Sequence, residues 1–166
     1  MSHIEMMQLA ERVALQSVCK RAQVGAVVRY TTWQGCVGDM WTVAQGYNKR
    51  PCGGQCEGAD GRTLLDVIHA EAMAIEAALD AVECEFLPDG VDEGGMFDSA
   101  LYVTRQPCIA CAKLIVDADI HAVYYRDADN KADGLEYLRA HGVELDSGWI
   151  TGRVAESWAE RNEVAG

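Results

Sequence analysis

The chain has 166 residues, enough for one globular domain with a substantial core. An apolar share of 49% with 16 Gly and only 3 Pro excludes a disordered, collagen-like or low-complexity protein. Fourteen basic against 26 acidic residues leave a net charge of −12, which opposes binding to a nucleic-acid backbone but leaves room for a ligand with one phosphate cluster. No stretch approaches the roughly 18 to 20 apolar residues of a membrane span. The start Met1-Ser2-His3-Ile4-Glu5 has neither the basic residues nor the apolar run of a signal peptide, so a cytoplasmic protein without a membrane partner is expected. Seven cysteines, an odd number, then suit thiolate ligands better than a disulfide framework.

In chain order, Ile4 to Cys19 is predicted helical, because Met6, Leu9, Ala10, Val13, Ala14 and Val18 recur at spacings of three and four. Val24 to Thr31 is β-branched and predicts a central strand, followed by a second from Trp41 to Gly46. The glycine-rich stretch 47–63 is a loop. Alanines at 70, 72, 74, 77, 78 and 81 predict a helix from Leu64 to Val82. An acidic insertion follows, from Glu83 to Asp98. Strands at Ala100–Thr104, Ile120–Tyr125 and Val143–Leu145 then alternate with helices at Ile109–Asp117 and Asp133–Ala140, with Gly142 as a helix stop. Strands separated by helices require crossovers, hence a partly parallel sheet covered on its faces: a single α/β/α sandwich. Residues 149–166 suit a last helix or tail on the same domain, packed on the body or on a partner subunit.

Two segments carry chemistry. His69-Ala70-Glu71 falls within the alanine-rich helix, and Pro107-Cys108-Ile109-Ala110-Cys111 at a strand-to-helix junction. Pro107 suits a helix entrance, and the amides and dipole of that helix start favour thiolates at Cys108 and Cys111. Either segment alone has an ordinary explanation, a structural histidine or a redox pair. Together they offer zinc one imidazole and two thiolates, leaving its fourth tetrahedral position open to water. Two residues apart on a helix, His69 and Glu71 diverge by about 200°, so Glu71 is no fourth ligand from the same face. It can reach the bound water only from the side, with the metal at the helix's N-terminal end.

His69-Ala70-Glu71-Ala72-Met73-Ala74-Ile75 and Pro107-Cys108-Ile109-Ala110-Cys111-Ala112-Lys113 resemble the cytidine deaminase superfamily. With Val24-Gly25-Ala26-Val27, Gly46-Tyr47-Asn48, Leu101-Tyr102-Val103-Thr104, Gly134-Leu135-Glu136-Tyr137-Leu138 and Gly142-Val143-Glu144, the chain is similar to the deoxycytidylate deaminase branch over most of residues 4–146. That resemblance implies a three-layer sandwich around a mixed five-stranded sheet. It implies zinc-dependent hydrolysis of deoxycytidine monophosphate (dCMP) to deoxyuridine monophosphate (dUMP) and ammonia. His69, Cys108 and Cys111 would hold the zinc, and Glu71 would move protons between the attacking water, ring N3 and the departing amine. Asn48 would meet sugar or base, though a turn residue bonding its own backbone is an equal reading. Thr104, Gln106 and Tyr125 would line the pocket from strand ends. Lys49, Arg50, Arg21, Arg105 and Arg126 are candidates for the 5′-phosphate, each with the alternative of a solvated surface cation.

The family often carries a second, structural zinc. Cys19, Cys52 and Cys56 could serve it here, but no histidine follows Cys56 before His69 to complete the set, and small buried thiols are the plainer reading. The resemblance also implies a homo-oligomer, often a hexamer, with dCTP and dTTP as effectors. Met73, Gln23, the Lys49-Arg50 pair and the short loop from Glu57 to Val67 depart from the common pattern near the nucleotide and effector regions. They keep other substrates open: a modified cytosine nucleotide, another ring, or a tRNA adenosine. A zinc-stabilised structural module is the non-enzymatic alternative, and it leaves Glu71 without a task.

Overall fold

The computed structural model describes residues 2–32, 40–83 and 96–147. Helix α1 (His3–Ala14) opens on a capping box, in which Ser2 and Glu5 satisfy each other's backbone amides. Strands β1 (Gly25–Thr32) and β2 (Met40–Tyr47) follow, then α2 (Ala70–Glu83), β3 (Phe97–Arg105), α3 (Ile109–Asp117), β4 (Ala122–Asp127), α4 (Asp133–Ala140) and β5 (Glu144–Asp146). The sheet order is β2-β1-β3-β4-β5. β1 runs antiparallel to β2 and β3, whereas β3, β4 and β5 run parallel, so the five-stranded sheet is mixed.

Alternation along the strands divides the core in two. Ala26, Val28 and Tyr30 of β1, with Leu101 and Val103 of β3, pack under α2, α3 and α4 through Ala74, Ile75, Ala78, Ile115 and Leu138. Val27, Ala100, Tyr102 and Tyr124 point to the other face, where Met6, Met7, Ala10 and Val13 of α1 cover them. The three layers match the expected sandwich. Central β3 is covered on both faces, so Ser99 to Thr104 are all buried.

Two contacts bring helices against backbone. A Cβ at residue 46 would lie 2.4 Å from Ala70 O and 2.4 Å from Ala74 N, so Gly46 lets β2 touch the first turn of α2. A Cβ at residue 134 would lie 2.3 Å from Pro107 O and 2.9 Å from Cys108 C, so Gly134 seats α4 on the turn that begins α3.

Helices α3 and α4 have their expected bounds, and Gly142 ends α4 at φ +77°, a left-handed conformation that glycine adopts freely. The other helices are shorter than expected. α1 stops at Ala14; beyond it the Ser17 hydroxyl donates to Asn48 O at 2.8 Å, tying the chain to the end of β2. α2 begins at Ala70 rather than Leu64, because Lys49 and Ile68 exchange backbone hydrogen bonds of 3.2 and 2.8 Å across the loop. Residues engaged in that bridge cannot also enter a helix. The expected elements within 149–166, and most of the acidic insertion, lie outside the described residues. No helix among the described residues is long and apolar enough to cross a membrane.

Candidate metal centre and the cavity around it

The shortened α2 changes where His69 stands. It is the residue before the helix, and its carbonyl accepts the first helical bond from Met73 N–H at 3.2 Å. The expected 200° divergence within one helix therefore does not apply. His69 belongs to the loop, while Glu71 is the second residue of the helix. Cys108 likewise precedes α3 in the N-cap position, with extended backbone (φ −76°, ψ 170°), and its carbonyl accepts Ala112 N–H at 2.8 Å. Cys111 follows in the first turn of α3. Two helix starts thus meet, one held against β2 at Gly46 and the other against α4 at Gly134.

Nδ1 of His69 lies 3.3 Å from Cys111 Sγ and 3.7 Å from Cys108 Sγ. The three donor atoms fall within 4.8 Å of one another, and among the described residues they are the one group of three such donors. Hydrogen bonds from Cys111 and His69 push the Cys108 thiol down to about 3. Cys111 moves the other way, chiefly because it keeps the shared proton in its hydrogen bond to Cys108, and then through burial. The bond to Cys108 raises His69.

One imidazole and two sulfurs at this spacing fit zinc, and they do not suit magnesium or calcium, which take oxygen ligands. Binding would displace the remaining thiol proton. His69 and Cys108 also line a cavity of about 200 Å³, so a metal they held would be accessible from it. Glu71 lines the same cavity, although only 4% of its surface is exposed. Burial raises its carboxyl above the usual carboxylate range.

Of the other expected site residues, Arg21, Asn48, Arg105 and Gln106 line this cavity. The Asn48 amide is largely occupied: its Oδ1 accepts Val24 N–H at 2.8 Å and its Nδ2 donates to Ala22 O at 2.8 Å. It thereby shapes the wall formed by Ala22 and Val24. Gln106 is turned to the β4–α4 connection, where its Oε1 accepts Asp129 N–H at 3.0 Å and its Nε2 donates to Lys131 O. Arg105 pairs with Asp129 at 2.9 Å.

Thr104, Tyr125 and Arg126 do not line the cavity. Thr104 Oγ1 accepts Gly25 N–H at 3.2 Å, and the residue borders an adjoining cavity that shares Arg21 and Arg105 with the first. Tyr125 belongs to the core beneath the helices. Arg126 is held by Glu11 at 2.9 Å and Asp127 at 2.6 Å. Arg50 is bound to Asp66 in the same manner, at 2.6 Å. Sequence reasoning missed Thr63, Val67 and Asp129 as wall residues, none of which sits in a recognisable motif.

The expected second metal set does not assemble. Cys19 and Cys56 form a disulfide with Cα atoms 4.9 Å apart, and Cys52 is left exposed with a free thiol. The preference for thiolates over disulfides therefore fails at this pair. Glu57, next in the chain to Cys56, accepts Arg21 N–H at 2.8 Å through Oε1, so the loop is held to the 19–24 segment at two adjoining points.

The cytidine and deoxycytidylate deaminase zinc-binding region matches residues 1–127. Deoxycytidylate deaminase of Mycobacterium phage D29 is 31% identical over 133 residues, covering 70% of this chain and 88% of the phage protein. ComE operon protein 2 of Bacillus subtilis strain 168 is 35% identical over 120 residues, 69% of this chain; the matched region spans only 53% of that relative. Among solved structures, dCMP deaminase from the cyanophage S-TIM5, in complex with dCMP and dUMP, superposes with a TM-score of 0.66 at 31% identity. That match covers 89% of this chain and 98% of the cyanophage chain.

Proposed function

The chain belongs to the cytidine and deoxycytidylate deaminase family, and from that premise we propose that it hydrolyses dCMP to dUMP and ammonia. The observation that carries this reading is buried Glu71 in the same cavity as His69 and Cys108, with Cys111 completing the donor set. The cyanophage relative, similar over nearly its whole length, is a dCMP deaminase whose structure contains both dCMP and dUMP.

His69, Cys108 and Cys111 would hold zinc, which when bound supplies water acidified enough to attack near neutral pH. Glu71 would take one proton from the attacking water and deliver it to ring N3, then take the second from the hydroxyl newly bonded to C4 and deliver it to the amine, so that the C4–N bond breaks, ammonia leaves and the carbonyl forms. Its burial raises the carboxyl above the ordinary carboxylate range, which strengthens it as a proton acceptor. The Asn48 amide keeps the wall at Ala22 and Val24 in place, and retains one N–H and one acceptor lone pair beyond its two backbone bonds for sugar or base. Arg21 and Arg105, the two arginines lining the cavity, take the 5′-phosphate. This reading extends to a homo-oligomer that responds to dCTP and dTTP, on the strength of family membership.

An ultraviolet assay on zinc-loaded protein tests the reading, with dCMP, CMP, deoxycytidine, dCTP, 5-methyl-dCMP and a tRNA anticodon hairpin as substrates. Preferential turnover of dCMP is expected. Turnover confined to the hairpin or to the 5-methyl nucleotide would replace the substrate while keeping the chemistry. Silence on every substrate, with zinc bound, would overturn the reading.

A further inference from the structure

Arg105 ends β3 beside the metal-binding turn, and Asp129 lies in the connection between β4 and α4. Their ion pair, Nη2 to Oδ2 at 2.9 Å, lines the cavity that holds Glu71. Neither oxygen of Asp129 is idle. Oδ2 takes Arg105, and Oδ1 accepts Asn130 N–H at 2.7 Å. With both oxygens engaged, the carboxylate is an orienting group rather than a contact for substrate.

The segment carrying Asp129 is itself held. Gln106, 8% exposed, accepts Asp129 N–H at 3.0 Å, donates its side-chain amide to Lys131 O, and donates its backbone N–H to Asp127 O at 2.8 Å. Three bonds from one residue thus fasten the connection to the turn that bears Cys108. Arg105, in contrast, uses one nitrogen toward the described residues. A guanidinium has five N–H donors in a fixed plane, so anchoring one nitrogen sets the direction of the others. Arg126 and Arg50 have their guanidinium groups bound by carboxylates away from the cavity, and Arg21 has no ion pair among the described residues to hold its side chain.

We propose that Asp129, latched by Gln106, is a positioning residue that presents Arg105 to the phosphate of the nucleotide and so makes the cavity selective for a phosphorylated substrate over a nucleoside. The proposal rests on the reading of the cavity as a nucleotide deaminase site. Asp129 acts only through Arg105, and only on ligands bearing phosphate.

The test compares zinc-loaded wild type with Asp129→Asn, Asp129→Glu, Gln106→Ala, Arg105→Ala and the double variant Arg105→Ala/Asp129→Asn. Deamination of dCMP and of deoxycytidine is measured beside calorimetric binding of dUMP and of deoxyuridine. Asp129→Asn is expected to raise KM for dCMP about tenfold, the scale of one charge-assisted contact, with kcat unchanged. KM for deoxycytidine stays constant, Asp129→Glu recovers part of the loss, and Gln106→Ala reproduces part of it. In the Arg105→Ala background the Asp129 substitution adds nothing.

An equal loss with dCMP and deoxycytidine would overturn the proposal, since it would mean a general structural role. So would an effect of Asp129→Asn that persists without Arg105, or a fall in KM for dCMP, which would make Asp129 a competitor of phosphate. Binding of dUMP that depends on Arg105 and Asp129 in a protein that deaminates nothing would leave the positioning role intact and remove the reaction. Equal binding of dUMP and deoxyuridine would remove both.

Discussion

The two sides of the cavity are built differently. On one side, β3 runs through Pro107 and Cys108 into α3 without an intervening loop, and every residue from Ser99 to Thr104 is buried. On the other, residues 48–69 have little regular structure and are held by the Asn48 amide, the Lys49–Ile68 bridge, the Cys19–Cys56 bond and Glu57. The first side is positioned by packing and the second by a series of polar and covalent ties. His69 sits where they meet, as the last residue of the tied loop and the residue before α2. A donor set drawn from both sides makes metal binding a report on whether each is in place.

The largest effect expected on the packed side comes from Cys108→Ala, which removes a donor and should abolish both zinc retention and turnover, as elemental analysis and the dCMP assay would show. Glu71→Gln should keep zinc and lower kcat by about 10²- to 10⁴-fold, the usual range for losing a positioned acid–base group. Zinc retained by the Cys108 variant, or activity retained by the Glu71 variant, would break the assignment of that side. On the tied side, Cys19→Ser should lower unfolding stability by about 2–4 kcal/mol in denaturant titrations, as is typical for removing a bridge. If the reduced wild type instead contains a second zinc per chain, these thiols serve a metal and the tie is of a different kind.

A smaller change sharpens the contrast at the boundary. Gly46→Ala forces a methyl against Ala70 O and Ala74 N and should cost about 1–3 kcal/mol by overpacking. The smallest concerns Glu57. The hydrogen bond from Arg21 N–H lowers its carboxyl below the ordinary 4.5, so the folded state favours the carboxylate. The stability it contributes is present above that ordinary value and lost as pH falls through the lowered one. The stability gap between wild type and Glu57→Gln should therefore be level near neutrality and close in acid. A gap that widens toward low pH would mean that the protonated acid, not the carboxylate, makes the tie.

The same contrast decides what could be read from sequence. Pro107, Cys108 and Cys111 carry their own local signal, a proline entrance with two thiols one turn apart, and α3 has its expected bounds. The alanines of α2 gave its body correctly but not its start, because helix propensity cannot register a backbone bridge from Lys49 nineteen residues earlier in the chain. The consequence was functional, since it placed His69 inside a helix to which it does not belong. Thr63, Val67 and Asp129 reach the cavity only through tertiary folding. Gln106 was legible as a residue near the site, but not as a fastening for the neighbouring connection. Cys19 and Cys56 were rightly grouped, yet their spacing could not distinguish a shared metal from a shared bond.

Gly134 has a further consequence. It has no catalytic atom to offer, yet its missing side chain is what allows α4 to rest on Pro107 and Cys108. A single methyl there would enter the space of the metal turn from behind, without altering any donor, acid or cation of the cavity. A substitution at position 134 is therefore expected to give a heat-sensitive form of this protein, competent when assembled in the cold and losing the geometry of its donor set on warming.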